Sequence, residues 1–462
     1  MEKTNRLSLI PDELLTLVWG PVVKQELFCR WSQGFIFSSD ENTALIQTSG
    51  GPCAVIAPVQ AFLLKNLINI YQLQQMRELD VSTVDKYLCL SLVELLSQCR
   101  IDVEDKPRSS DNTTSPETSA SNANIEGPFR LACLDDPLPS TRERSPSTPS
   151  ELDDIDRRTS TKDHDLFHSC IRLRQFESKY DLEKYLESNL AKFKIEFGIL
   201  LFLYSVILTR GINRVRTEMG EAGESLIDQS EGHGGQALIN LLINGRAASY
   251  VWDGDKDVGG LKLSGIIRRP FVGFLTKMEH LHYVQVGWYL KNPSSTVWVL
   301  ASETHLTVLY SWNQALITPD TECERAKQVL SWFDADGNKF LPRPQLKDVL
   351  SKLNLCTDED FVEFMCKELD PESTGVILFH KFLDTFYNSD QSYSPPDVFH
   401  VYHYNGLESS CPDNKIKYAE GIVTLQEGNI EYSNHGSEIL SCLRTKWGNI
   451  DIVWTNFHPT LN

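Results

Sequence analysis

A cysteine, a histidine and a glutamine at three separate places carry the clearest chemical signal in this 462-residue chain. In ALIQTSGGPCAVIAPVQAFLLKNL, residues 44–67, a Gly50-Gly51-Pro52 turn precedes Val55, Val59, Phe62, Leu63 and Leu67. Those apolar residues share one helical face, so the spacing predicts a core-packed helix that begins at Cys53. Unpaired N–H groups and the helix dipole favour an anion at such a start. A thiol placed there beside a histidine falls from a pKa of about 8.5 to roughly 3–4, and the thiolate is the reactive species. Pro58 still lies near the first turn, where the missing N–H is tolerated. Gln47 precedes Cys53 by six residues. Its amide N–H and the Cys53 backbone N–H could form an oxyanion hole, each donor contributing about 3–4 kcal/mol. The alternative is a buried cysteine behaving as a small hydrophobe after an ordinary turn.

A thiol needs a base. Among eleven histidines, His305 in SETHLTVLYSW is the best placed. It opens a strand on the face of Thr307, while Leu306, Val308 and Tyr310 alternate onto the other. A strand holds an imidazole rigidly, as proton transfer requires. His233, in a Gly-rich turn, and His403, read as packed in a sheet, are weaker candidates. Glu303, Thr307 and Asn313 remain open as the group that orients the imidazole.

The surrounding pattern divides the chain into stretches that must position these residues. Residues 1–101 hold helices near Leu14–Val18, Cys53–Gln75 and Ser82–Cys99, with strand-like alternation at Cys29–Ser38. Residues 102–165 are rich in Ser, Thr, Asp and Pro, bury too little apolar surface, and are expected to be disordered. Residues 166–319 read as a helix over Phe167–Leu190, an apolar helix to Thr209, a helix over Gln236–Asn244, and strands at Val251–Asp255, Val297–Leu300 and Leu306–Trp312. Residues 320–390 are helical and acidic, and residues 391–462 return to β-type composition. An insert between strands of one α/β domain accounts for that order.

Composition narrows the class. The net charge of -19 opposes nucleic acid as the main partner, because phosphate binding needs a basic face. The longest apolar stretch, Phe197–Thr209, has 13 residues, short of the roughly 20 that a membrane span needs. The opening residues lack the apolar run of a secretory signal. Eleven cysteines without a CxxC pair read as reduced thiols in the nucleus or cytoplasm, not as a zinc site. No metal or other cofactor is expected.

Five blocks, GGPCAVIAPVQAFLL, LINLLINGRAASYVWDGD, SETHLTVLYSW, VYHYNGL and LRTKWGNIDIVWT, occur together and in order. Together they resemble the MINDY deubiquitinases, in the branch with an EF-hand-like insertion. The resemblance implies a papain-like α/β (α+β) cysteine-protease fold and cleavage of lysine-48-linked polyubiquitin. By position it makes Cys53 the nucleophile, His305 the general base and Gln47 the oxyanion-hole residue. Ubiquitin and its chains are then the partner. Its basic face and arginine-bearing tail suit an acidic cleft, for which Asp253 and Asp255 are candidate lining residues, turn capping being the alternative. A ubiquitin-binding pseudoenzyme with an unproductive pocket is the competing reading.

The insert carries two loops with the spacing of EF-hands, Asp334–Gln345 and Asp370–Lys381. Asp334, Asp336 and Asn338 occupy positions one, three and five of the first loop. Lys339 takes its glycine position and Gln345 its final glutamate position. In the second, Lys381 stands where the bidentate carboxylate belongs. The expectation is an EF-hand pair in shape that does not bind calcium.

Overall fold

In the computed structural model, the apolar residues after the Gly-Gly-Pro turn form the helix Cys53–Ile68, buried along nearly its whole length. The structure describes residues 10–100, 127–135, 163–220, 224–319, 321–334, 338–387, 393–425 and 437–462. They fall into two units, Met1–Gln314 with Val398–Asn462, and Ala315–Asp397.

The larger unit is built on a six-stranded sheet. Its strands are β5 (Gly273–Thr276), β6 (Val297–Ala301), β7 (Leu306–Tyr310), β10 (Val398–Tyr404), β11 (Ala419–Leu425) and β12 (Ile450–Trp454). They lie in the order β12-β11-β10-β7-β6-β5. Only β5 and β6 are parallel, and the other neighbours are antiparallel. Helix Cys53–Ile68 lies against β6 and β7 on one side and against helices Val81–Arg100 and Gln236–Asn244 on others. Helix Gly198–Arg210 is wholly buried. No single helix among the described residues is long and apolar enough to cross a membrane.

Several local expectations are corrected. Residues 129–134, inside the stretch expected to be disordered, form β1 (Phe129–Leu134), paired with β2 (Ile171–Phe176). Phe129, Leu131 and Cys133 alternate into the core, and β1 packs on helix Gly198–Arg210. Residues 102–126 and 136–162 lie outside the described residues. The helix expected over Phe167–Leu190 is instead helix His164–Cys170, strand β2, and helix Lys179–Asn189. The alternating IRLRQF run outweighs helical propensity once β1 offers a partner strand. Cys29–Ser38 begins inside helix Gln25–Trp31 and ends in an isolated bridge from Phe37 to Leu45. Val251–Asp255 keeps only one bridge, Asp253 to Ile266.

The smaller unit has its own core, which includes Leu330, Leu341, Leu346, Leu350, Ile377 and Phe382. Its helices Glu322–Trp332, Leu346–Lys352, Glu359–Leu369 and Phe379–Phe386 flank a short ladder of β8 (Phe340–Pro342) and β9 (Val376–Leu378). The loop before each strand folds around an aspartate. Asp334 accepts the N–H groups of Asn338 and Lys339 at 2.9 and 2.8 Å. Asp370 accepts those of Thr374 and Gly375, each at 2.8 Å. Asp336 lies outside the described residues.

One buried ion pair ties the helices behind the site. The Glu218 carboxylate holds Arg210 in a close pair, accepts from Arg214 Nε at 3.3 Å, and receives the Ala247 N–H at 2.8 Å. Arg210 also donates to the Cys99 carbonyl at 3.2 Å. Removing one partner of such a pair leaves an uncompensated buried charge. Glu218→Ala should therefore cost about 3–5 kcal/mol of stability in denaturant unfolding. A change within about 0.5 kcal/mol, typical of surface substitutions, would contradict this account.

Candidate active site

Cys53 is the first residue of its helix, and the turn before it needs glycine. Gly51 has a φ of 123°, and an added Cβ would lie 2.9 Å from the Trp31 indole nitrogen. Chain sterics at that φ admit little besides glycine. Strand β7 begins one residue after His305, so the imidazole stands at the end of a rigid strand. Cys53, Ala54, His233, Gln236, Thr276, Glu303, His305 and Leu306 line one cleft of about 250 Å³. The Cys53 thiol donates to the Gly51 carbonyl at 3.7 Å, and backbone N–H groups of Leu306 and of the helix start favour charge on its sulfur. His233 thus shares the cleft, whereas His403 is packed in the sheet with its Nε2 2.9 Å from the Thr307 hydroxyl.

The sequence left the orienting group open, and none of its three candidates takes the position. His305 Nε2 is 2.9 Å from Oδ1 of Asn405, which directly follows β10. Thr307 faces His403, Glu303 lines the cleft, and Asn313 lies three residues beyond β7. Asn405 could be suspected only from the Asn-Gly pair ending a β-type run, a pattern that reads first as a turn. The antiparallel register of β10 on β7, with Tyr404 opposite Val308, delivers it to the start of β7.

Asn405, Gly406 and Leu407 also hold Gln47. The Gln47 N–H donates to the Gly406 carbonyl at 2.7 Å, and Gln47 bridges Leu407. An added Cβ on Gly406 would fall 2.1 Å from the Tyr404 hydroxyl, so this close approach depends on glycine. Gln47 itself is buried, and its Nε2 donates to the Ser49 carbonyl at 3.0 Å. It is not among the residues lining the cleft.

The two aspartates proposed for substrate contact are committed elsewhere. Asp253 caps the short helix Trp288–Lys291, accepting the N–H groups of Trp288 and Tyr289 at 2.7 and 3.0 Å. Asp255 holds Arg246 through two bonds of 2.8 Å and accepts the Gly265 N–H at 3.0 Å. Neither lines the cleft, and their carboxylates serve turn and helix geometry instead. No group of three or more His, Cys, Asp or Glu side chains among the described residues could hold a metal ion.

The electrostatics correct the expectation of a depressed thiol pKa. Cys53 is only 4% exposed, and burial pushes its thiol up to about 11 against the opposing pull of the backbone N–H groups. Burial also lowers the His305 pKa, opposed by the Asn405 hydrogen bond and reinforced by His233. Desolvation disfavours each charged form, so thiol and imidazole rest neutral at pH 7. Thiolate therefore accumulates only as pH rises toward 11, and imidazolium only below the usual histidine range. Alkylation of Cys53 by iodoacetamide should therefore rise about tenfold per pH unit from 7 to 10. A plateau across pH 5 to 8 would mean a preformed thiolate–imidazolium pair.

Known proteins resemble this chain over most of its length. Residues 17–340 match the model described as deubiquitinating enzyme MINDY-3/4, conserved domain. Ubiquitin carboxyl-terminal hydrolase MINDY-3 of Homo sapiens is 39% identical over 463 residues, covering 99% of this chain and 100% of the human one. Its Danio rerio counterpart is 40% identical over 474 residues, covering 100% of both. The Drosophila melanogaster homolog is 37% identical, covering 97% of this chain and 82% of its own. No solved structure matches the chain. The chain therefore belongs to the MINDY-3/4 family of cysteine-type deubiquitinating enzymes.

Proposed function

We propose that this deubiquitinase hydrolyses isopeptide bonds of lysine-48-linked polyubiquitin through a thioester on Cys53. The observation that carries the mechanism is the shared cleft, with Cys53 at a helix start and His305 held by Asn405. With Nε2 engaged by Asn405, Nδ1 is the nitrogen left to take the thiol proton. With a ubiquitin tail bound, the Cys53 proton passes to His305 as the sulfur attacks, so the charge pair forms only in the course of the reaction. The thiolate attacks the ubiquitin C-terminal carbonyl. The tetrahedral oxyanion is stabilised by the Cys53 N–H and by the Gln47 amide once it turns from Ser49. His305 protonates the departing lysine amine, then draws a proton from water to release the thioester. The lysine-48 preference rests on the family resemblance of the five sequence blocks.

The smaller unit is, in the same reading, an EF-hand-like module that docks or braces and does not take calcium. Lys381 and Gln345 replace the two carboxylates that would close the loops. All eleven cysteines are free thiols, which suits work in the nucleus or cytoplasm. Nucleic acid and membrane play no part.

A ubiquitin probe with a C-terminal electrophile tests the central claim. Wild type should form a stable adduct and Cys53→Ala none. His305→Ala should cost far more cleavage than His233→Ala. Gln47→Ala should slow cleavage by about 10²–10³, and an unchanged rate would remove Gln47 from the mechanism. Ubiquitin retained without any adduct would point instead to a binding protein with a closed pocket. Heat on titration with calcium would refute the cation-free reading of the insert.

A further inference from the structure

Thr460, Leu461 and Asn462 take no part in the chemistry above, yet they meet the catalytic apparatus at two points. The first is Asn405. Its Oδ1 accepts the Leu407 N–H at 3.0 Å and faces His305 Nε2 at 2.9 Å. Its Nδ2 donates to the Thr460 carbonyl at 3.2 Å. Leu407 N–H and Thr460 C=O are backbone groups of fixed polarity, so together they decide which end of the amide faces the imidazole. With oxygen facing it, the ring must carry its proton on Nε2, which leaves the Nδ1 lone pair free as base.

The second point is the loop that carries His305. Ser302 Oγ accepts the N–H groups of His305 and Thr304 at 2.9 and 3.2 Å. Ser302 in turn hydrogen-bonds Oδ1 of Asn462, and the Thr304 hydroxyl donates to the same oxygen at 3.3 Å. Asn462 Nδ2 donates to Glu438 at 2.9 Å, and Glu438 pairs with Lys277 at 2.6 Å. Leu461, between the two contacts, is 1% exposed and anchors the segment. A hydrogen bond from the Thr460 hydroxyl to the Asn462 carbonyl, 2.6 Å, joins the two halves.

We propose that residues 460–462 are a positioning clamp for the general base. The Thr460 carbonyl selects the His305 tautomer through Asn405, and Asn462 fixes the loop on which His305 stands. The clamp presupposes the Cys53–His305 mechanism, and it acts on the proton transfer rather than on ubiquitin binding. It therefore belongs to kcat, not KM.

The test measures kcat, KM and melting temperature on polyubiquitin cleavage for Asn462→Ala, a deletion of residues 460–462, Asn405→Ala, and the deletion combined with Asn405→Ala. Asn462→Ala should lower kcat about tenfold, the scale of one lost orienting hydrogen bond, with KM and melting temperature unchanged. The deletion should lower kcat on the order of a hundredfold, and Asn405→Ala should cost less on top of it than in wild type, because the Thr460 carbonyl acts through Asn405. Wild-type kcat in Asn462→Ala would overturn the clamp, as would multiplicative losses in the combined variant. A loss confined to KM would overturn it equally. Should the deletion melt early, Asn462→Ala alone decides. Cys53→Ala run alongside separates the failures: full cleavage by that variant sinks the mechanism itself, whereas a dead Cys53→Ala with an active Asn462→Ala sinks only the clamp.

Discussion

The hydrogen bond from His305 to Asn405 is the constraint around which the larger unit is organised. An imidazole serves a sulfur only if its ring plane and its tautomer are both fixed. Here the fixing group arrives from a strand about a hundred residues further along the chain. For that to work, β10 must pair with β7 in one register, and the Asn405-Gly406-Leu407 turn must then reach back toward Gln47. The Cys53 helix, the His305 strand and the Asn405 turn are thus gathered on a single sheet. A slip of one residue would turn Asn405 to the opposite face.

The same burial that gives this precision keeps the resting site uncharged. Helix N–H groups do act on the Cys53 sulfur, as the sequence implies, but removal from water opposes them and prevails. His233, in the same cleft, further lowers the His305 pKa.

In the smaller unit the carboxylates of Asp334 and Asp370 are each engaged by backbone N–H groups four and five residues further on. Lys339 adopts the left-handed φ of 59° at the position usually given to glycine, and Gly375 adopts 84° at the matching position. These internal bonds and the β8–β9 ladder link the two segments.

Sequence alone determined the features that depend on neighbours along the chain. The Gly-Gly-Pro turn, the helix starting at Cys53 and the strand following His305 are all local patterns of period, turn and cap. It misread IRLRQF and FRLACL because a strand is stable only with its partner, and the partner lies across a long intervening stretch. It left Asp253 and Asp255 open between lining a cleft and capping turns, because a carboxylate looks free until its arginine or helix end is in place. Only the tertiary structure decided that Asn405 meets His305, that Gln47 rests on Ser49, and that burial raises the Cys53 thiol pKa. Register, desolvation and side-chain pairing are properties of segments brought together in space, and no window of sequence contains them.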